Sequence, residues 1–532
     1  MRRFTRMLLA PLSRINPAEA TVLSFLAMSL LGGIALWYTE SGRIVAAKVP
    51  VHHQVQIAVV GDLPVGIAAP PRTELHAFAK DVTYRGETFI DMLFTSVSAL
   101  CVTGLTSTDF SQFTLAGQVI TLVLIQMGGL GIIVFTSLFA FLIAKGLSER
   151  QTFGSLLAGI LDTSLHDVGR MLKHVAIYTL FFEGIAFLIM GIHLRADPSQ
   201  IGNINPWWWA LFHSVSAFNN AGFGLLNNNL MNFPKDPIIN MVIATLIIAG
   251  GLGYPVLIAL HTWLRGKIAG KNDRVYQALK EDVAGVVASP VQTRVAISGT
   301  LFFLLLGTVI PLAMEWTSPV LGGLSFSEKI MAMFFQSVST RTAGFNTIDI
   351  GALTTSTIIL YIILMYIGAN PAGTAGGVKI PTIAVLYGYV KDWFLQPGLP
   401  VMLYKRRISK FALSHAIRLF FFSTLTIGLL TFFICAIESE YLITPDPLFN
   451  FTKIIFEVFS AFGTVGLSMG FPGSVTSFSA ILSPASKFLI IFAMLFGRLG
   501  PLTILASLPW KRAYADHPLS PDYDNVEKIQ IG

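Results

Sequence analysis

Long uncharged apolar runs, separated by short polar ones, set the pattern of this chain. Ala20 to Thr39, Phe110 to Ala144, Pro237 to Leu264, Val295 to Met314, Ile350 to Val378 and Leu419 to Ile437 carry no formal charge. His174 to Leu194 holds one acid, Glu183, and Phe488 to Trp510 holds one base, Arg498. A helix needs about 20 apolar residues to cross the hydrocarbon core of a membrane. The pattern therefore predicts eight spanning helices, because runs of this length exceed barrel strands and must satisfy their backbone polar groups internally. Trp37, Trp263, Trp316 and Trp510 fall near the predicted span ends, where an aromatic belt belongs.

Composition agrees with the pattern. Of 532 residues, 53% are hydrophobic and 12% charged, against about 25% charged in soluble domains. The net charge of +7 is then loop charge, not the footprint of a nucleic-acid binder. Basic residues cluster before the first span (Arg2, Arg3, Arg6, Arg14), between the fourth and fifth (Arg265, Lys267, Lys271, Arg274, Lys280), between the sixth and seventh (Lys391, Lys405, Arg406, Arg407, Lys410) and after the last (Lys511, Arg512). With eight spans these fall on one side, which the positive-inside rule makes cytoplasmic. Both termini, 1–19 and 511–532, are expected there, in a multi-pass protein of the cytoplasmic membrane. Residues 40–87 form an extended outer loop. Cys101 and Cys435 exclude a disulfide framework.

One segment occurs four times: SVSALCVTGL (96–105), SVSAFNNAGF (214–223), QSVSTRTAGF (336–345) and VFSAFGTVGL (458–467). The copies align on Gly104, Gly222, Gly344 and Gly466, each followed by a large apolar residue, Leu105, Phe223, Phe345 or Leu467. A small residue, Ala99, Ala217, Ser339 or Ala461, stands five positions earlier. Each copy lies between two spanning candidates, beside an apolar run too short to cross. The chain thus reads as four tandem units of span, half-helix, glycine turn and span: 20–144, 173–264, 294–395 and 413–510. The expected fold is all-α and polytopic, with four re-entrant half-helices around a central pore.

Irregular backbone survives at membrane depth only when it is buried in protein or lines a wet cavity, and four copies about an axis create that cavity. Glycine permits positive φ and close approach. The carbonyls of Val102, Thr103, Gly104 and Leu105, of Asn220, Ala221, Gly222 and Phe223, of Thr342, Ala343, Gly344 and Phe345, and of Thr464, Val465, Gly466 and Leu467 can then face the axis and replace a cation's hydration shell. The half-helices aim their negative C-terminal ends at the same place.

A second pattern follows each copy: GGLG (128–131), GGLGYP (250–255) and GRLGP (497–501), with IGANPAGTAGGVK (367–379) in the third unit. Arg498 takes the place of Gly129 and Gly251. A lone arginine at that depth needs a wet cavity or carbonyl partners, and in the pathway it raises a barrier to cations. Gly368, Pro371, Gly373, Gly376 and Gly377 are too dense in helix breakers for a regular helix. They predict a loop, held by Thr374 and Lys379, that interrupts the span beneath the turn.

The stretches VTGL (102–105), SAFNNAGF (216–223), STRTAGFNT (339–347), NPAGTAGGVK (370–379) and SAFGTVGLSMG (460–470) resemble, in this order, the Trk/Ktr/HKT superfamily of potassium transporters. The likeness extends from about residue 20 to 510 and is greatest to the KtrB type, the membrane subunit of Ktr uptake systems. It implies a homodimer in which each monomer carries its own potassium-channel-like filter, with K⁺ on the backbone carbonyls named above. It implies that 368–379 is an intramembrane gating loop and that Arg498 is the pore-facing arginine. It also implies a separate cytosolic ring of KtrA-like nucleotide-binding subunits that carry ATP or ADP. Plant members with serine at the first filter glycine favour Na⁺; Gly104 stands there and favours K⁺, and a Na⁺-permeable or Na⁺/K⁺-coupled transporter is the alternative.

Signs of an enzyme are lacking. The sequence contains neither G-x-x-x-x-G-K-[ST] nor H-E-x-x-H. Glu183 and Glu457 are acids near membrane depth, able to hold a cation, a proton or internal hydrogen bonds. His213 reads as a satisfied helix histidine, Trp207 to Trp209 as interfacial anchors, and Cys101 as a thiol within reach from outside.

Overall fold

The computed structural model describes residues 17–40, 88–146, 165–270, 272–284, 286–395, 401–443, 450–470 and 477–501. The N-terminal arginines, loop residues 41–87, Lys271, Trp510 and the segment 511–532 lie outside the described residues.

The elements recur in fourfold order. The first unit holds α1 (Pro17–Glu40), α2 (Phe89–Leu100) and α3 (Leu115–Gly146). The second holds α4 (Leu165–Ala196), α5 (Pro206–Phe218), α6 (Pro237–Leu252) and α7 (Tyr254–Ile268), followed by the connecting helix α8 (Arg274–Asp282). The third holds α9 (Pro290–Met314), α10 (Phe326–Ser339), α11 (Thr355–Tyr366) and α12 (Ile380–Leu395). A short antiparallel hairpin, β1 (Met402–Leu403) with β2 (Arg406–Arg407), pairs Met402 with Arg407. The fourth unit holds α13 (Lys410–Ile437), the single turn α14 (Ser439–Ile443), α15 (Phe451–Phe462) and α16 (Pro484–Leu499).

Among the described residues, four stretches are long and apolar enough to cross a membrane: Thr21–Glu40, Gly169–Ala196, Pro290–Met314 and Lys410–Ile437. They are the first helices of the four units. Their outer faces are apolar and exposed, as with Phe421, Leu429, Phe432 and Phe433 on α13. The interior is instead rich in polar residues such as Ser98, Ser216, Asn220, Thr342 and Thr464. This inverts the soluble arrangement and suits a solvent of lipid.

The second helices depart from uninterrupted spans. The run expected from Phe110 begins with a 3-10 turn, Phe110–Gln112, and becomes helical at Leu115. The run Pro237 to Leu264 breaks at Gly253, whose φ is 85°, and α7 leaves α6 at 104°. Pro255 lacks the N–H that would continue the ladder, and its ring obstructs the preceding turn. Helix α16 also ends before a positive-φ glycine, Gly500, with Pro501 next. No proline follows Gly131, and α3 runs on to Gly146. In the third unit only Thr355–Tyr366 of the apolar run is helical, and the chain regains a helix at Ile380.

A staple joins the first and second helices of every unit. Glu40 accepts from the hydroxyl (2.6 Å) and backbone N–H (3.1 Å) of Thr114. Glu315 accepts from the Thr354 hydroxyl (2.6 Å) and N–H (2.9 Å) and from the Thr357 hydroxyl (2.6 Å). Glu438 accepts from Ser483 N–H at 2.9 Å. The second unit exchanges the chemistry, with His193 Nε2 2.7 Å from Asp236. Each staple satisfies or anchors an N-cap, where helix N–H groups lack intrahelical partners. The ring is closed between the fourth and first units by Lys487 Nζ, 2.7 Å from Asp91 Oδ1, with both side chains largely buried.

Glu315→Ala leaves the cap donors of α11 buried and unpaired, a loss of about 1–3 kcal/mol. The expected result is a lower midpoint of thermal unfolding in detergent, with a smaller drop for Glu315→Gln. An unchanged midpoint for Glu315→Ala would show that the staple carries no stability.

Candidate ion pathway

The four short helices α2, α5, α10 and α15 end at the repeated segment. Beyond each, the backbone alternates. Val102, Asn220, Thr342 and Thr464 have φ of 57°, 60°, 72° and 48°, and two residues later Gly104, Gly222, Gly344 and Gly466 have φ of 96°, 70°, 77° and 89°. A non-glycine residue at such angles costs about 1–3 kcal/mol and persists only when its surroundings over-determine it. Three of the four non-glycines are β-branched, the type least suited to positive φ.

Hydrogen bonds to the preceding helix hold this conformation. Thr103, Ala221 and Val465 donate N–H to the carbonyls of Ser98, Ser216 and Ser460 at 2.7, 2.7 and 2.8 Å. In the third unit Ala343 donates to Ser339 at 3.0 Å, across one residue fewer. That segment is shorter by one position between its Ser-Val-Ser and its glycine, so α10 ends one residue earlier relative to the glycine. The structural counterpart of Ser339 is therefore Ser98, Ser216 and Ser460, not the alanines found by counting back from the glycines. These four seryl hydroxyls brace the turn. Ser98 and Ser460 accept from the N–H of Gly104 and Gly466 at 3.0 and 3.1 Å, and Ser216 and Ser339 donate to the carbonyls of Phe223 and Phe345.

The glycines meet in cyclic order. A Cβ on Gly104 would stand 3.1 Å from Gly222 Cα, one on Gly222 2.9 Å from Gly344 Cα, one on Gly344 3.1 Å from Gly466 Cα, and one on Gly466 3.1 Å from Gly104 Cα. Each such Cβ would also strike the carbonyl oxygen before the next glycine, on Ala221, Ala343, Val465 and Thr103 in turn. Only glycine fits at these positions. The ring brings together main-chain oxygens from all four units, while Leu105, Phe223, Phe345 and Leu467 turn their side chains into the apolar core.

The Gly-Gly-Leu-Gly pattern also has a packing cause. Side chains at Gly128, Gly250 and Gly497 would run into the carbonyls of Leu100, Phe218 and Phe462, the last residues of α2, α5 and α15. Glycine lets the second helix lie directly against the ring's support.

Segment 367–379 lies beneath the ring, in the break between α6 and α7. Asn370 and Thr374 donate N–H to Gly251 and Gly250 at 3.0 and 3.2 Å, while Tyr254 donates to Ala372 at 3.1 Å. The loop thus caps both halves of the broken helix. Its ends are tied by Gly368 N–H to Val378 O at 2.9 Å and Val378 N–H to Tyr366 O at 3.2 Å. Pro371 and Gly373 reach Gly253, where a side chain would meet the Pro371 carbonyl at 2.5 Å. Gly376 packs on Thr464 of the ring segment, and Gly377 takes a φ of 66°.

Cationic side chains hold three consecutive carbonyls of this loop. Arg498 donates from Nη1 to Thr374 O and from Nη2 to Gly128 O. Lys379 donates to Ala375 O at 2.6 Å and Gly376 O at 3.2 Å. Arg498 is buried, in the last turn of α16, where a cation suits the helix dipole. A second buried arginine escaped sequence reading. Arg341, just before the third-unit turn, donates to Gly368 O at 3.2 Å. Its signal was a charge inside an otherwise uncharged repeat.

The remaining candidates do structural work. Glu183 accepts from Asn219 Nδ2 at 3.0 Å, and that amide also reaches Gln126. Glu457 accepts from the Ser468 and Ser479 hydroxyls, both at 2.6 Å. His213 Nδ1 lies 2.9 Å from Trp209 O, and its ring stacks on the Trp209 indole. Two expectations fail here. Trp207 to Trp209 do not anchor together at an interface: they form the first turn of α5, and Trp209 is fully buried. Cys101 is fully buried too, so its thiol is out of reach from outside.

Residues 22–509 match the TrkH family of cation transport proteins. The Ktr system potassium uptake protein B of Bacillus subtilis is 34% identical over 423 residues, 79% of this chain and 85% of that protein. The potassium/sodium uptake protein NtpJ of Enterococcus hirae is 32% identical over 422 residues, again 79% and 85%. The crystal structure of the potassium transporter TrkH from Vibrio parahaemolyticus superposes with a TM-score of 0.56 over 96% of this chain and 98% of that one; at 16% identity this likeness concerns the fold. With four glycine turns closed into one ring and a match across nearly its whole length, the chain belongs to the TrkH family of cation transport proteins, a family of membrane transporters and not of enzymes.

Proposed function

We propose that this protein is the potassium-conducting membrane subunit of a Ktr-type uptake system. The observation that carries the reading is the cyclic contact of Gly104, Gly222, Gly344 and Gly466, with carbonyls of four units brought to one ring. A dehydrated alkali cation needs several oxygen ligands at once, and backbone carbonyls provide them without a fixed charge. The names of the B. subtilis and E. hirae relatives, a potassium and a potassium/sodium uptake protein, favour K⁺ as the substrate. The second name keeps a Na⁺-permeable or Na⁺/K⁺-coupled transporter as the other reading.

In this reading the four first helices and the four second helices cross the cytoplasmic membrane, both termini are cytoplasmic, and α2, α5, α10 and α15 are re-entrant. The residues at 102–105, 220–223, 342–345 and 464–467 form the filter. Segment 368–379 is the gate. Arg498 and Lys379 seat it by occupying its carbonyls, and they place two positive charges on the route of an entering cation. Uptake runs down the membrane potential, which contributes about 2.3 kcal/mol per unit charge per 100 mV. Two such chains associate, and a cytosolic ring of nucleotide-binding subunits, carrying ATP or ADP, moves the gate from the cytoplasmic side.

Gly104→Ser inserts a side chain against Ala221 O and Gly222 Cα. In ⁸⁶Rb⁺ and ²²Na⁺ flux into proteoliposomes, the K⁺-like over Na⁺ ratio is expected to fall toward unity; an unchanged ratio would sink the filter assignment. Arg498→Ala removes the charge-assisted hydrogen bond to the loop carbonyl of Thr374, along with the one to Gly128 of α3, and such a bond contributes about 1.5–3 kcal/mol. Basal K⁺ flux in the absence of the regulatory ring is therefore expected to rise about ten-fold or more, as it should on deletion within 370–376. Wild-type basal flux in both variants would remove Arg498 and the loop as gate elements.

A further inference from the structure

Thr374 gives the loop a side-chain hydrogen bond to the ring segment, beside the backbone packing of Gly376 on Thr464. Thr374 directs its hydroxyl to Asn220 Oδ1 at 3.2 Å and to Phe218 O at 3.3 Å, so one proton serves two acceptors. Its N–H is given to Gly250, and its carbonyl is taken by Arg498. Every polar atom of Thr374 is thus engaged, and each bond leads to a different element: the broken helix, the arginine, the end of α5 and the ring segment.

Asn220 stands two residues before Gly222, with a φ of 60°. Its equivalents are Val102, Thr342 and Thr464. Among the described residues, none of these three makes a hydrogen bond to the loop, and the Thr342 and Thr464 hydroxyls have no protein partner. Asn220 is 1% exposed, and its Nδ2 has no protein partner either. The amide is therefore held by one bond only, the one from Thr374. The amide lies against Gly250 and Gly251 of α6, so the Thr374 hydroxyl is the group that fixes its rotation.

We propose that Asn220 is the positioning residue that couples the loop to the ring, so that discrimination between K⁺ and Na⁺ depends on whether Thr374 is seated. This rests on the reading of the ring as filter and of 368–379 as gate. A seated loop draws Oδ1 away from the ion path. A displaced loop releases it, and the ring's ligand set changes in one quadrant.

The test measures ⁸⁶Rb⁺ and ²²Na⁺ flux in proteoliposomes holding the full chain. Thr374→Val removes the hydroxyl at nearly constant shape. Asn220→Gly removes the amide at an angle that glycine accepts. Each is expected to change the Rb⁺/Na⁺ ratio by about five-fold, the ordinary worth of one buried hydrogen bond. The double variant should change it no further, and Thr374→Ser should restore it. If Thr374→Val raises both fluxes in proportion, Thr374 is a latch without influence on the ring and the coupling is refuted. Multiplicative effects in the double variant refute it as well. Thr374→Ala with Asn220→Ala provides a second pair should either first variant fail to fold. Gly104→Ser in the same vesicles separates the two levels. A fall in ratio there with no coupling overturns this inference alone, whereas no fall there overturns the filter reading beneath it.

Discussion

Eight backbone positions held at positive φ are what the rest of the molecule is arranged around. Without them the carbonyls of the four segments would alternate in direction, as they do in an ordinary extended chain. Four of the eight are glycines and adopt the angle freely; the other four are Val102, Asn220, Thr342 and Thr464. Their strain, about 1–3 kcal/mol each, is offset by the N–H bonds back to Ser98, Ser216, Ser339 and Ser460 and by burial on all sides. The long outer helices, the Glu40, Glu315 and Glu438 staples and the Lys487–Asp91 pair all keep four short helices pointed at one place. The fold is best understood as a scaffold for a conformation that no isolated segment would keep.

The loop under the ring is stable for a related reason. A chain with this density of glycine and proline gains little from its own hydrogen bonds, so its order comes from outside. Broken helices supply it. Gly250 and Gly251 at the end of α6 offer carbonyls without intrahelical donors, and Tyr254 at the start of α7 offers an N–H without an intrahelical acceptor. The 104° bend at Gly253 is thus complementary to the loop, and each leaves the other with unmet polar groups when it moves. Arg498 and Lys379 add charge-assisted bonds that can be exchanged for water, which fits the gating role proposed for this segment.

Much of this was legible in the residues. The fourfold glycine segment, the short helices before it, the interrupted third unit and the arginine at the fourth Gly-Gly-Leu-Gly position could all be read from spacing and from the intolerance of helices for glycine and proline. The bend at Gly253 was equally available, because Gly-Tyr-Pro at 253–255 and Gly-Pro at 500–501 carry one signal that Gly131 lacks. Other features were hidden by their physics. The staples join residues 39 to 74 positions apart and pair an acid with a hydroxyl in the first and third units, an acid with a backbone N–H in the fourth, and a histidine with an acid in the second, so no fixed motif marks them. The missing residue in the third segment leaves the glycine spacing intact while moving the serine, which only the hydrogen bonds reveal. Trp207 to Trp209 misled because aromatic runs suit interfaces, whereas the helical turn directs Trp209 inward onto His213.

Because all four quadrants belong to one polypeptide, they need not be copies. A pore assembled from four identical subunits has to change a position in every wall at once. Here Val102, Asn220, Thr342 and Thr464 occupy equivalent places with unlike chemistry, and a single codon alters one wall alone. Under the proposed function, such a chain can alter ion preference one quadrant at a time and confine its gate to a single unit.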